Sequence, residues 1–288
     1  MQIGIFARTF VRPTLGGVLQ AIRSHGLTAV HFNLKCLHLE TLCESIDKAS
    51  CHDIRSAFDD HGLKMVAISG TFNAIHPDSD YRDECIRRTR GLIEKARDLG
   101  TDVVSLCTGT RDPHNMWRRH RDNDRPEAWQ DLLATLEKLL PAAETHEVTL
   151  GIEPERANVI DSATKARRLL DEIKSPRLKI IIDGANLFEP NDLSGMQDVL
   201  AQAFDLLAGD TIMAHAKDIT NDPRKKDQAA GTGVLDWQAY FRSMSESGFD
   251  GPVVLHNLDE SQVDRSTAFV RRHAARWYPQ LRAQGDTA

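Results

Sequence analysis

The sequence has few cysteines and no long apolar run. Its five cysteines are odd in number and include no C-x-x-C pair, so they indicate neither a disulfide framework nor a zinc knuckle. No stretch approaches the roughly 18 consecutive apolar residues of a membrane-spanning helix. The apolar run within residues 1–8 is too short for a secretory signal peptide. We therefore expect a cytoplasmic protein with no membrane partner.

An excess of positive charge is also absent. The chain has 36 Lys and Arg against 42 Asp and Glu, a formal net charge of −6. Nucleic acids and anionic membranes bind basic surfaces, so neither partner is expected. No G-x-G-x-x-G motif is present, although an open doubly wound sheet, the structural alternative considered below, would usually need such a glycine-rich turn.

Short apolar segments alternate with amphipathic segments along the whole chain. With 288 residues, of which 41% are hydrophobic, the chain is long enough to close a large core. Eight predicted strands alternate with eight predicted helices, the last helix at residues 261–282. Alternation with connections of this length calls for parallel strands, and eight units close a barrel. The predicted fold class is α/β, a single (β/α)8 TIM barrel domain over residues 1–288.

Four of the apolar segments stop at a residue with acid–base or metal-binding chemistry. These residues are Glu153, Asp183, His215 and His256, each separated from the next by about one strand-helix-strand unit. In a closed barrel the carboxyl ends of all strands lie at one face, so the four residues would converge. A single charged residue at a strand end is usually a solvated terminus or a cap. Four at successive strand ends favour a site for a divalent metal such as Mn²⁺, Co²⁺ or Zn²⁺, and Mg²⁺ less.

At this point the chain resembles a known group over its whole length, the xylose-isomerase-like barrels of the sugar phosphate isomerase/epimerase superfamily. The motifs that carry the resemblance are Gly151-Ile-Glu-Pro-Glu, Ile182-Asp-Gly-Ala-Asn-Leu, His215-Ala-Lys-Asp, Gly231-Thr-Gly-Val-Leu-Asp-Trp and Gly248-Phe-Asp-Gly-Pro-Val-Val-Leu. The resemblance implies one Mn²⁺- or Mg²⁺-like ion held by Glu153, Asp183 and His215. It also implies a fourth ligand at the end of strand eight.

The sequence departs from the family pattern at two positions. His256 stands where the resemblance implies a glutamate that is both a ligand and one of two carboxylate bases. The predicted catalytic residues are therefore Glu153, the remaining carboxylate, and His256, the residue in the second base's place. Glu155 is the alternative to Glu153 as the base. Asn186 stands where many members have a substrate-binding histidine; it is a candidate substrate ligand or a simple turn residue.

Further candidate substrate-binding residues lie close to the predicted ligands. Lys217 and Asp218 follow His215, and strand alternation directs Lys217 into the barrel mouth. Lys217 would bind a substrate oxygen or a phosphate, would form a Schiff base, or would pair with Glu153 or Asp218. Glu155 and Arg156 would line the pocket or lie in a solvated loop.

Aromatic and imidazole side chains of the earlier loops are the remaining candidates. His76, Trp117 and His120 would form a sugar-stacking wall and supply partners for hydroxyl groups. The alternative for each of them is a packed loop.

These residues predict an isomerase or epimerase acting on a sugar, keto-sugar or cyclitol. The ion would stabilise the enediolate formed when a carbon-bound proton is removed. Two alternatives stay open: a metal-dependent lyase or hydrolase on a related carbohydrate, and a non-catalytic sugar-binding barrel. The expected partner is a small carbohydrate, and the resemblance is consistent with a homodimer or homotetramer.

Overall fold

The structure, a computed structural model, describes residues 1–189, 192–222, 224 and 227–284. The strands are β1 (Gln2–Phe6), β2 (Ala29–Phe32), β3 (Lys64–Ser69), β4 (Val103–Cys107), β5 (Thr149–Glu153), β6 (Leu178–Asp183), β7 (Thr211–Ile219), β8 (Asp227–Ala229) and β9 (Pro252–Leu255). The α-helices are α1 (Leu15–Ser24), α2 (Lys48–Asp60), α3 (Ser79–Leu99), α4 (Pro126–Thr145), α5 (Ala163–Ile173), α6 (Met196–Leu207), α7 (Trp237–Glu246) and α8 (Val263–Ala274). The assignment of residues 1–288 to one domain includes residues outside these ranges and stays a prediction.

Eight of the strands form a closed parallel barrel. Strands β1 to β6 pair with their neighbours in chain order, β6 pairs with β7, β7 with β9, and β9 with β1. This closure confirms the predicted TIM barrel and excludes the open doubly wound sheet. The short strand β8 pairs antiparallel with the end of β7, with Lys217 opposite Ala229. It is an additional strand outside the barrel, which the alternation of eight strands and eight helices did not include.

The helices pack around the outside of the barrel, and several begin at side-chain caps. Ser162, the N-cap of α5, accepts a hydrogen bond from the Lys165 N–H. The predicted extent of the last helix was wrong, because α8 ends at Ala274 and a separate 3₁₀ helix begins at Pro279. Proline lacks the N–H of the helical ladder and its ring clashes with the preceding turn, so Pro279 disfavours one helix that runs through to residue 282. None of the helices in the described ranges is long and apolar enough to cross a bilayer.

The interior of the barrel has an apolar layer directly below its carboxyl-terminal face. Ile181, Met213 and Val254 are buried together with Ala67 in a small cluster of their own. Successive residues of a strand point to opposite faces, so residues two positions later point into the barrel again. Two positions after Ile181, Met213 and Val254 stand the polar residues Asp183, His215 and His256. They form the layer above the apolar cluster.

Candidate functional site

The barrel brings the four predicted metal ligands to one end. Glu153 and Asp183 are the last residues of β5 and β6, and Asp183 is in register with His215 on β7. His256 follows β9 directly, and its backbone N–H donates to the Ala216 carbonyl at 3.3 Å. The side chains therefore meet because the register of the parallel strands brings these positions to the same height.

Three of these residues form a cluster with the properties of a metal site. Asp183, His215 and His256 each offer one ligand atom, and these atoms all lie within 4.8 Å of one another. Asp183 Oδ2, His215 Nε2 and His256 Nδ1 are buried and have no hydrogen-bond partner. Buried polar atoms in proteins are nearly always hydrogen-bonded, so three such atoms on these clustered residues are suited to bind a common partner. One carboxylate oxygen and two imidazole nitrogens fit a divalent transition metal.

Glu153 lies beside this cluster and is hydrogen-bonded to two neighbours. Its Oε1 accepts from His215 Nδ1 at 3.1 Å and from Asn186 Nδ2 at 2.8 Å. Burial raises the pKa of the Glu153 carboxyl, but the charges of His215, His256 and Lys217 and the hydrogen bond from His215 lower that pKa to about 2. The Glu153 side chain is therefore an ionised carboxylate at neutral pH.

Lys217 neutralises the buried carboxylate of Asp183. Its Nζ lies 3.3 Å from Asp183 Oδ2 and donates to Asn186 Oδ1. Burial raises the pKa of Asp183, and the lysine charge acts against that rise. The sequence predicted an ion pair of Lys217 with Glu153 or Asp218. In the structure the lysine pairs with Asp183. The result is a continuous chain of contacts from Asp183 through Lys217 and Asn186 to Glu153.

The two candidate histidine ligands differ in their electrostatic environment. Burial and the neighbouring charge of His215 lower the pKa of His256 well below its ordinary value. Burial also acts to lower the pKa of His215, but the adjacent Glu153 and Asp183 carboxylates outweigh it and raise that pKa above its ordinary value. His256 is thus a neutral imidazole with a nitrogen available for a ligand bond.

His31 of β2 is a site residue that the sequence reasoning missed. It is 4% exposed, and its Nε2 is 2.8 Å from Ser105 Oγ, while its Nδ1 has no partner. The ring lies between Phe6, at a centroid distance of 4.9 Å, and His215, at 5.7 Å. Phe6 also packs against His256 at 5.0 Å, so the rings of Phe6, His31, His215 and His256 form one cluster.

Tyr240 of α7 fixes the strand that carries His215. Its buried hydroxyl donates to the His215 carbonyl at 2.9 Å and to the Ile182 carbonyl at 3.3 Å. Gly184 leaves room for this ring, since a Cβ there would lie 2.8 Å from Tyr240 Cε2. The helix layer therefore supports the backbone of β6 and β7 directly behind the candidate ligands.

A cavity of about 580 Å³ opens above these side chains. Its volume is within the usual range for small-molecule sites. The predicted site residues that line it are Glu153, Glu155, Arg156, Asn186, His215, Lys217, His256 and Trp117. The Trp117 side chain is 49% exposed, which places it at the rim. Burial raises the pKa of the Glu155 carboxyl, so Glu155 holds its proton to higher pH than Glu153 does.

Comparison with protein families agrees with this architecture. The model of the family described as xylose isomerase-like TIM barrel matches residues 19–280, which is most of the chain. The chain belongs to the xylose isomerase-like TIM barrel family.

The individual relatives and solved structures that resemble the chain share only a low sequence identity with it. L-ribulose-5-phosphate 3-epimerase UlaE of Shigella flexneri serotype 5b is 22% identical over 200 residues, which are 69% of this chain and 65% of the relative. The match thus covers less than two thirds of that relative's length. The 3-keto-D-glucoside 4-epimerase YcjR of E. coli has a TM-score of 0.73 at 19% identity, with 94% of this chain and 99% of that chain covered. A structure of the IolI protein with a binding zinc atom has a TM-score of 0.73 at 17% identity, covering 96% of this chain and 98% of that one. These structural likenesses show the fold.

Within this xylose isomerase-like barrel, Asp218, a predicted substrate-binding residue, does not line the cavity. It is fully buried, and its carboxylate accepts from the Gly231 and Leu235 N–H groups and from Trp237 Nε1. Strand alternation places it on the face of β7 opposite Lys217, away from the cavity. Asp218 therefore holds the segment between β8 and α7 in place.

His76 and His120 also lie away from the cavity. His76 Nε2 bonds the Pro113 carbonyl at 3.2 Å, and its ring packs on Tyr81 at a centroid distance of 4.5 Å. His120 caps a 3₁₀ turn by accepting from the Asp122 N–H at 3.2 Å. Both imidazoles are used inside their own loops, so the alternative of a packed loop applies to them.

Proposed function

We propose that this chain is a divalent-metal-dependent isomerase or epimerase of a sugar, keto-sugar or cyclitol. The observation that carries the proposal is the set of three buried ligand atoms of Asp183, His215 and His256, none of them hydrogen-bonded to a described residue, beside the ionised Glu153. The epimerase relatives support the same reaction class. A cavity of this size, lined by polar side chains, is suited to a small carbohydrate.

The residues that would hold the ion are Asp183, His215 and His256, with Glu153 as the fourth ligand. When bound, a divalent metal supplies a Lewis acid that polarises a carbonyl and stabilises negative charge developing on the substrate's oxygens. Mn²⁺ is the proposed ion, and Co²⁺, Zn²⁺ or Mg²⁺ would accept parts of the same donor set.

The chain's own acid–base groups are Glu153 and Glu155. Glu153 is ionised, and its orientation is fixed by the hydrogen bonds from His215 and Asn186 to one oxygen. The proposal assigns to it the removal of a proton from the carbon next to the substrate carbonyl. Glu155 lines the same wall with a raised pKa, which suits a group that returns a proton.

Other side chains would orient the sugar. Asn186 and Lys217 present polar groups at the cavity floor next to Glu153, where they would bind hydroxyl or carbonyl oxygens of the substrate. Trp117 at the rim offers an aromatic face, against which the C–H face of a sugar ring packs. Arg156 is held by Glu189 at 3.1 Å and closes the wall behind Glu155.

Solvent exchange tests the proposal. A panel of ketoses and keto-cyclitols, including L-ribulose and its 5-phosphate, is incubated with the protein in D₂O and followed by NMR. We expect deuterium at the carbon next to the carbonyl, together with an isomerised or epimerised product. Glu153→Gln should lower the exchange rate by about 10²–10⁴-fold. Glu189→Gln, which changes a cavity carboxylate already paired with Arg156, is the matched control.

Two results would contradict the proposal. A dehydrated product would assign the protein to the lyases. Undiminished exchange in Glu153→Gln, with its metal content unchanged, would refute Glu153 as the base.

A further inference from the structure

Two positive charges at the cavity mouth have no negative partner among the residues that the structure describes. Arg8 lies in a 3₁₀ turn directly after β1, and Lys35 lies in one after β2. Both side chains are exposed and line the cavity. Neither makes an ion pair or a side-chain hydrogen bond within the ranges that the structure describes. Unpaired cations at the mouth of a polar cavity attract an anion from solution.

The other cations of the cavity are already paired. Arg119 donates to Asp124 at 2.8 Å and to Asp161 at 3.0 Å. Arg156 pairs with Glu189 at 3.1 Å, and Lys217 lies 3.3 Å from Asp183. The unsatisfied positive charge of the described cavity lining is therefore concentrated on the β1–β2 side.

The barrel register places the two cations on the same side of the cavity mouth. Phe6 of β1 is opposite His31 of β2, so the residues that follow both strands leave the barrel at the same height. The charge of Arg8 also reaches Cys36, beside Lys35. Burial raises the pKa of the Cys36 thiol to about 11, and the positive charge of Arg8 acts against that rise. Both cations thus lie over the same small region of the mouth.

Asn33 adds a neutral donor at the foot of this region. It is buried and lines the cavity. Its Oδ1 accepts from the Lys35 N–H at 2.9 Å and from the Thr41 hydroxyl at 3.3 Å, which fixes the orientation of the amide. The side-chain NH₂ group is then the end that faces other acceptors.

We propose that Arg8, Lys35 and Asn33 form a subsite for an anionic group, a carboxylate or a phosphate monoester, at the end of the substrate remote from the reacting carbonyl. The subsite rests on the proposed function, since it defines the charge class of the substrate in the same cavity. Arginine binds such groups through two parallel N–H bonds, lysine binds them as a point charge, and the asparagine N–H completes the set of donors. The cavity extends from these residues to His215 and His256, so one small molecule spans both ends.

Calorimetric binding of three matched sugars to the full chain tests the subsite. The probes are D-fructose, D-fructose 6-phosphate and D-fructuronate, which present the same ketose with a hydroxyl, a phosphate or a carboxylate. We expect at least one anionic sugar to bind more than tenfold tighter than D-fructose. Whichever anion binds tighter identifies the phosphate or the carboxylate as the natural group.

Substitutions of the subsite residues test whether they cause the preference for anionic sugars. Arg8→Gln and Lys35→Gln should each weaken anion binding by about tenfold and leave D-fructose binding unchanged. The matched control is Arg12→Gln, which removes the same charge from an arginine already paired with Glu260. Asn33→Asp keeps the acceptor for Lys35 and Thr41 but adds a negative charge, so the preference for anions should disappear.

Binding separates failure of the subsite from failure of the proposed reaction, because the calorimetric measurement needs no turnover. A preference for anions that is lost in the Arg8 and Lys35 variants supports the subsite even if no proton exchange is found. The proposal is overturned if no anionic sugar is preferred, including the case in which none of the three binds. It is also overturned if the preference survives in the double variant Arg8→Gln with Lys35→Gln.

Discussion

The imidazole rings of His215 and His256 lie parallel, with their centroids 4.9 Å apart and an interplanar angle of 9°. They come from the neighbouring barrel strands β7 and β9, and each has a buried nitrogen without a hydrogen-bond partner. The position that the family resemblance assigns to a glutamate is thus occupied by a ring that packs on another candidate ligand. This arrangement adds a nitrogen donor and removes a negative charge from the site.

Replacing His256 by a carboxylate should change the metal preference. Carboxylates favour Mn²⁺ and Mg²⁺, and imidazole favours Zn²⁺. We expect His256→Glu to raise the ratio of Mn²⁺ to Zn²⁺ affinity by about tenfold, measured by competition with a chromophoric chelator. His52→Glu on the exposed face of α2 makes the same change of residue outside the barrel. An unchanged or reversed ratio in His256→Glu would argue against His256 as a ligand.

Removing the Tyr240 hydroxyl should weaken both the fold and the metal site. Tyr240→Phe leaves the His215 and Ile182 carbonyls without their side-chain donor, so we expect a loss of about 1–2 kcal/mol in the free energy of unfolding. Metal affinity should fall by about tenfold, as for other partners that support ligands. Tyr278→Phe is the control, because that buried hydroxyl donates to the Phe249 carbonyl away from the ligands. Urea unfolding and metal titration of both variants measure these effects. Equal metal affinities in the two variants would show that the Tyr240 hydroxyl does not support the metal ligands.

The fold and the strand-end residues were predictable from local sequence. An apolar run that stops at Glu153 or Asp183 is visible without tertiary information, and the barrel then brings the strand ends together. Met213 and Val254 show the same logic, since each precedes a polar site residue by two positions in its strand. Period-two alternation is a property of the strand alone, so these inferences did not depend on long-range contacts.

Other parts of the site depend on contacts between distant segments. His31 lies inside the apolar strand Ala29–Phe32 and reads as a core residue until its neighbour Ser105 is known. Asp218 reads as a site residue because it follows His215 closely, although the alternation that directs Lys217 into the barrel turns Asp218 away from it. The partners of its carboxylate, such as the Gly231 N–H, are visible only in the folded chain. The length of β7 and its antiparallel partner β8 were likewise not marked by any local signal.

Gly109 should be intolerant of a side chain. It has a φ of +77°, and a Cβ there would lie 2.1 Å from Asn73 Oδ1, the acceptor for the Thr110 N–H. We expect Gly109→Ala to lower the free energy of unfolding by more than about 3 kcal/mol, from backbone strain and overpacking together. Gly248 has the same φ of +77° with no atom within 4 Å of the added Cβ, so Gly248→Ala should lose only about 1 kcal/mol. Equal losses in urea unfolding would show that the close contact with Asn73 has no effect.

Glu155 should be needed for product formation more than for proton removal. If Glu153 removes the proton and Glu155 returns one, Glu155→Gln slows formation of the isomerised product by about 10²-fold. Deuterium exchange at the carbon next to the carbonyl should persist, because Glu153 is unchanged. NMR in D₂O measures both rates in the same sample. Parallel loss of exchange and product would assign Glu155 to the first step instead.

The most direct test of the central claim is the metal content of the purified chain, measured by plasma mass spectrometry without exposure to chelators. The buried ligand atoms of Asp183, His215 and His256, which have no hydrogen bond to a described residue, predict about one divalent transition-metal ion per chain. The same measurement on Asp183→Asn and His215→Ala should give much less than one ion, with the circular dichroism spectrum unchanged. A wild-type protein without stoichiometric metal, or variants that keep the full metal content, would contradict the account.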